Sequence, residues 1–248
     1  MYEWIAVIIT AITAATSIIT AISTTITARI QKRASRKQSV IEVLNDVVIS
    51  LLNEIEGYES GCQYVNGEIS ILTLPINVKL YAKSDVLYKR FVELLKKYHC
   101  YKEFQRKVNE FNHVQQTLQQ SADTLKSTLA NILQGDKHIQ VLWEEKVKKE
   151  KAYSHLDFTK AKDTIIRDFI SGWCDGLPGG VWHVLGKDLW REYCDKVKNV
   201  LNEVNKLIER RRQIAQKLKE MLKRVLDKAV EDYNILDSEL RKRKFEIV

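Results

Sequence analysis

The stretch Trp4–Ala28, "WIAVIITAITAATSIITAISTTITA", holds no charge, no Gly and no Pro, yet Thr or Ser recurs through its length. Its reading decides the fold. At 1.5 Å per residue a helix of this span is about 37 Å long, enough to cross a hydrocarbon core of about 30 Å. Met1-Tyr2-Glu3 lacks the basic start of a secretory leader, so the apolar run reads as an anchor rather than a cleaved signal. Five basic residues follow it directly: Arg29, Lys32, Arg33, Arg36 and Lys37. Such a collar is expected on the cytoplasmic side, touching lipid headgroups, with the N-terminus outside and the bulk of the chain inside. The sequence thus predicts a single-pass membrane protein.

The hydroxyls have a period. Thr10, Thr13, Ser17, Thr20, Thr24 and Thr27 are spaced alternately by three and four, while Ile5, Ile12, Ile19 and Ile26 repeat every seven on another face. The triplet "ITA" recurs at residues 9, 12, 19 and 26. One reading makes the hydroxyl stripe a packing face between copies of the helix, since small and hydroxyl-bearing residues allow close approach in lipid. A second has each hydroxyl bond the carbonyl one turn back in its own helix. A third makes the stripe the lining of a water-filled pore. A helix buried inside an oligomer without a membrane is the remaining alternative.

Beyond residue 38 the composition points to an all-α chain. Nine Gly and two Pro in 248 residues are too few for the frequent turns of a sandwich or barrel. The expectation is a transmembrane helix over residues 1–28, a juxtamembrane collar over 29–38, and a cytoplasmic antiparallel bundle or coiled coil over 39–248. In the first bundle helix Val40, Val43, Leu44, Val47, Val48, Leu51, Leu52 and Ile55 form a wide apolar face. The connection that follows has β-like character from Ile69 to Leu74, and Ser84 or Asp85 is placed to cap the next helix.

Two long seams come next. Phe104, Val108, Phe111, Gln115, Leu118, Ala122, Leu125, Leu129 and Ile132 keep a strict four-three spacing. So do Val197, Leu201, Val204, Ile208, Arg211, Ala215, Leu218, Leu222, Val225 and Ala229. A parallel row of Val200, Leu207, Ile214 and Met221 widens the second stripe, which suits a helix with more than one neighbour. If continuous from Lys187 to Glu246, that helix would be roughly 90 Å long. Periodicity alone leaves open whether the seams pair within one chain or between chains.

The single span, the basic collar, the "LLNEIE" helix, the "LP" turn and the "LLKKY…EFN" helix together resemble uncharacterised prokaryotic membrane-anchored helical proteins over roughly residues 1–115. That resemblance implies a helical domain on one anchor and no activity.

The net charge of +8 gives little support to nucleic-acid binding, because without the collar the chain carries 35 basic against 32 acidic residues. Cys62, Cys100, Cys174 and Cys194 form no CxxC pair. With His155 and His183 they match no ligand spacing, so no metal or other cofactor is expected. Carboxylates alternate with Lys, as in "EEKVKKEK", in the manner of solvated helix faces, and no catalytic residue is expected. "GWCDGLPGGVWHVLGKDLW" is the densest unusual stretch, with five of the nine glycines. It lacks the spacing of a phosphate loop and reads as a helix-joining tip over 172–190. Trp173, Trp182 and Trp190 either pack that tip or offer a protein partner a surface.

The functional expectation is a non-enzymatic, membrane-anchored scaffold or tether that self-associates. A channel component with a hydroxyl-lined pore and a structural subunit of a filament or shell are the alternatives.

Overall fold

The computed structural model describes residues 2–57, 63–65, 68–70, 76–82 and 84–240. Side chains are described for 16–57, 76–79, 81–82, 84–173 and 176–240. The fold is all-α apart from one two-stranded ribbon, and the chain divides into two compact units. The first comprises residues 1–51, 78–98 and 224–248; the second comprises 52–77 and 99–223.

The first unit opens with α1, Tyr2–Val43. A five-residue π-helical turn, Leu44–Val48, leads into α2, Ile49–Gly57, whose first three residues belong to this unit. The turn keeps the apolar face on one side. Val43, Leu44, Val47, Val48 and Leu51 are all at 2% exposure or less, as their spacing predicts. After the short α3, Val78–Tyr81, comes α4, Asp85–Lys97, which packs on α1. Ser84 caps α4, its hydroxyl accepting from the Leu87 N–H at 3.2 Å, and Leu87, Phe91, Leu94 and Leu95 enter the core.

The last ten residues of α10, Lys198–Tyr233, complete this core with Val225, Leu226 and Ala229. Here the long final helix departs from expectation. Asn234 stands at φ 48°, the left-handed conformation that Asn adopts most easily after Gly, and the N–H of the buried Ile235 turns back to the Val230 carbonyl. At the other end Val197 separates α9, Lys187–Lys196, from α10. The continuous piece is therefore 36 residues, about 54 Å.

The second unit is built on α5, Tyr101–Gly135, and the first part of α10. Each buries the seam its spacing predicts, except that Ile132 is half-buried and Leu133 fully so. Cross-contacts settle which helix each seam faces. Ser121 donates to Glu203 at 3.1 Å, Arg211 to Gln115 at 3.3 Å and Arg210 to Glu110 at 3.4 Å. Glu110 lies against Arg210 while Ser121, further along α5, lies against Glu203, earlier on α10, so within the second unit the two helices pair antiparallel in one chain.

Between these helices lie α6, Lys137–Glu145, α7, Phe158–Asp175, α8, Val181–Leu185, and α9. Of the expected β-like segment Ile69–Leu74, Ile69 and Ser70 lie in β2, Glu68–Ser70, which pairs antiparallel with β1, Gln63–Val65, and residues 71–75 lie outside the described part.

The membrane reading is corrected here. Among the described residues no helix is long and apolar enough to cross a membrane. Thr16, Ser17, Thr20, Ser23, Thr24, Thr25 and Thr27 dilute the apolar content of the described part of α1, and Arg29, Lys32 and Arg33 follow within 18 residues of Thr16. The transmembrane span, the lipid anchor and the single-pass localisation therefore fall. Thr10 and Thr13 lie outside the residues whose side chains are described.

Candidate functional site

The tip at 172–190 is held by glycines that the backbone requires. Gly176, at φ 72°, ends α7, and the Leu177 N–H returns to the Gly172 carbonyl at 2.9 Å. A side chain at Gly172 would place its Cβ 2.6 Å from the Leu177 carbonyl oxygen, so the chain closes on itself only with glycine there. Gly180, at φ 50°, precedes α8, and its Cα faces the Asp168 carboxylate, which accepts from the Val181 N–H at 2.9 Å.

This turn carries Trp182 inward. Trp182 is fully buried, its indole N–H donates to the Ile165 carbonyl at 2.8 Å, and its ring lies 5.4 Å from Phe169 and 4.9 Å from Tyr193. Trp190 is 9% exposed and tilts against Phe169 at 6.4 Å. Trp173 is half-buried against the same core. Two of the three tryptophans named as a partner surface are thus interior packing. Among the described residues of the tip, Gly176, Leu177, Gly180, His183, Lys187 and Asp188 are exposed. Spacing could not reveal this, because a turn has no repeating face from which burial is read.

The Trp182 cluster is tied to α6 through one carboxylate. Asp136 caps α6 by accepting from the His138 and Ile139 N–H groups at 3.0 and 3.3 Å. Its other oxygen accepts from the Tyr193 hydroxyl at 2.9 Å and from Lys196 at 3.2 Å. Burial pushes the Asp136 carboxyl up, but the bonds from Tyr193, Lys196 and the Ile139 N–H outweigh it and hold the group below its ordinary value. Burial, and then Asp136 itself, drive the Tyr193 phenol far up. A carboxylate depressed on folding stabilises the fold above its unfolded pKa of about 3.9, and that gain is lost as pH falls through the folded value. Asp136→Asn is expected to cost about 1.5 to 3 kcal/mol at pH 6, and the gap from wild type should be smaller at about pH 2.5, below the unfolded pKa. Thermal unfolding at the two pH values checks it.

Burial and Asp195 raise the Cys194 thiol to about 11, which suppresses the thiolate a nucleophile needs. Cys100 is buried, His183 is exposed, and Cys62 and Cys174 lie outside the residues whose side chains are described. Among the described residues no group of three or more His, Cys, Asp and Glu could hold a metal ion.

On α1 the structure separates three faces. The Thr20 hydroxyl donates to the Thr16 carbonyl at 2.8 Å, Thr24 to Thr20 and Ala21 at 2.9 and 3.0 Å, and Thr25 to Ala21 at 2.8 Å. These hydroxyls are spent within their own helix. Ile18, Ile19, Ile22, Ile26 and Ile30 are exposed by 51 to 67%. Ile19, Ile22 and Ile26, with Ser23 and Thr27, line a shallow groove of about 300 Å³. From the collar Arg29, Lys32, Arg33 and Arg36 are exposed, whereas Lys37 is half-buried and pairs with Glu239 at 2.8 Å.

A further feature escaped the sequence. In the first unit Ser35, Arg36 and Ser39 of α1 face Arg90, Glu93 and Lys97 of α4 across a cleft of about 480 Å³, closed at one end by Tyr233. Its residues are distant in sequence and carry no motif, so only the fold assembles it.

Compared with protein-family models, with curated proteins and with solved structures, the chain matches none.

Proposed function

We propose that this protein is a non-enzymatic helical scaffold, a structural subunit whose copies join through α1. The observation that carries this reading is the row of exposed isoleucines on a helix whose every residue from Thr16 to Arg36 is exposed. An apolar row of this length on a charged chain calls for a partner, and its pattern fits a second copy of itself. With Ile19 and Ile26 at the first position of a heptad and Ile22 at the fourth, the sequence carries Ile5, Ile8 and Ile12 into the same two rows. That gives three heptads, with Ala15 at the fourth position of the middle one, before Arg29 interrupts that row. β-Branched Ile in both rows packs knobs into holes and favours bundles of three or four strands.

In the same frame Thr10, Thr13, Ser17, Thr20, Thr24 and Thr27 take the second and sixth positions, on the outside. The interface is accordingly assigned to the isoleucines, with Thr20 and Thr24 facing away and Thr27 at the edge of the isoleucine groove. Burial is worth about 1.5 to 3 kcal/mol for each Ile side chain, so three per copy dominate the association.

Sedimentation velocity on the full chain tests the assignment. The wild type is expected to sediment as an oligomer at tens of micromolar. Joint substitution Ile19→Gln, Ile22→Gln and Ile26→Gln should return it to monomer with unchanged helicity, since these side chains support no core. Thr20→Ala with Thr24→Ala should leave the oligomer intact. A monomeric wild type, or dissociation by the Thr pair and not by the Ile triple, defeats the proposal.

A further inference from the structure

The cleft between α1 and α4 has a chemistry that the scaffold reading does not use. Arg36 reaches it from α1 with no acidic partner among the described residues. Arg90 reaches it from α4, held only by a 3.4 Å contact to Glu42 in which both side chains are over 40% exposed, a pairing that solvent makes weak. Ser35 and Ser39, one turn apart on α1, supply hydroxyl donors on the same wall. Lys97 stands at the end of the cleft, fixed to Asp232 and lying 4.4 Å from the Tyr233 ring. It keeps the end of the cleft positive while being too well anchored to move onto a ligand. Glu93 is the one acid in the lining.

Outside the cleft, Arg29 and Lys32 precede Arg36 at intervals of three and four residues, so the same side of α1 leads cations up to the opening. Two guanidinium forks and two hydroxyls in one lining supply the donor types that a tetrahedral oxyanion takes, because planar forks bind phosphate oxygens in pairs.

We propose that this cleft binds a phosphate group, held between Arg36 and Arg90 with the Ser35 and Ser39 hydroxyls donating to its remaining oxygens. The group arrives as inorganic phosphate or as a phosphomonoester. The site lies wholly within one chain and does not depend on self-association through the isoleucines.

Isothermal titration of the full chain with inorganic phosphate and with glycerol 3-phosphate, at constant ionic strength in chloride, tests it. Saturable binding below about 10 mM is expected for at least one of the two, and their relative affinity separates the free ion from the monoester. Arg36→Gln and Arg90→Gln should each weaken it by about tenfold or more, the scale of one charge-assisted hydrogen bond. Lys160→Gln removes the same charge from an exposed residue of the second unit that does not line the cleft, and should leave the affinity unchanged. Absence of saturable heat with both probes overturns the proposal. So does an equal loss in all three variants, which would mark attraction to net charge alone.

Discussion

Trp182→Ala is expected to destabilise the second unit by about 4 kcal/mol, within the range for truncating a large buried aromatic. Three losses add up. The indole leaves a cavity among Phe169, Tyr193 and their neighbours; the Ile165 carbonyl loses its donor; and the edge-on ring contacts with Phe169 and Tyr193 vanish. Equilibrium urea unfolding followed by circular dichroism measures the loss. Trp173→Ala, at a half-buried position, should cost no more than about 2 kcal/mol. A cost below about 1 kcal/mol for Trp182→Ala would mean that the tip does not depend on its aromatic centre, and would return Trp182 to the list of surface contacts.

Gln115→Leu is expected to cost about 2 to 4 kcal/mol, while Arg211→Met at the facing position should cost less, about 1 to 2 kcal/mol, because the buried amide it leaves behind is neutral. The asymmetry follows from charge. Arg211 is fully buried in the α5–α10 seam, and its Nη1 donates to the Gln115 Oε1 at 3.3 Å. Removing the glutamine leaves a buried guanidinium with one acceptor fewer, and an undersatisfied charge in the interior is among the costliest of single changes. Removing the arginine takes away the charge itself and leaves apolar volume that methionine fills. Combining the two should recover most of the Gln115→Leu loss, giving a coupling energy that a double-mutant cycle reads directly. Additive costs would show that the pair does not act as a unit. The polar layer also fixes register: a slip of one heptad on either helix would set Arg211 against Ala122 or Val108.

The seams were legible before any coordinates because a four-three repeat has one physical solution, a helix with a buried stripe. Leu118, Leu125, Leu129, Val204 and Leu218 lie where that solution puts them. The glycine and proline spacing likewise located the turn at 172–190. Three features were not legible. The π-helical turn at Leu44–Val48 leaves no mark, since inserting one residue per turn keeps the same side chains inward over so short a run.

The fate of Trp182 depends on a left-handed glycine and on a carboxylate, Asp168, a turn of chain away, and neither contact has a period. On α1 the difficulty was different in kind. An apolar row measures a preference to leave water and does not name the medium that replaces it. The hydroxyls bonded to their own carbonyls satisfy either environment equally.

The first unit draws on the start, the middle and the last part of the chain, whereas the second ends at residue 223. A ribosome releasing this polypeptide therefore delivers every residue of the second unit before Val225, Leu226, Ala229 and Ile235 emerge to close the core around Leu44, Val48 and Phe91. Until then those earlier apolar side chains wait uncovered, although they were synthesised first. The order of maturation is thus the reverse of the order of synthesis at the N-terminus. On the proposed self-association, the isoleucine row of α1 would be available to neighbouring nascent chains throughout that interval, so copies made on one message would meet before either has finished folding.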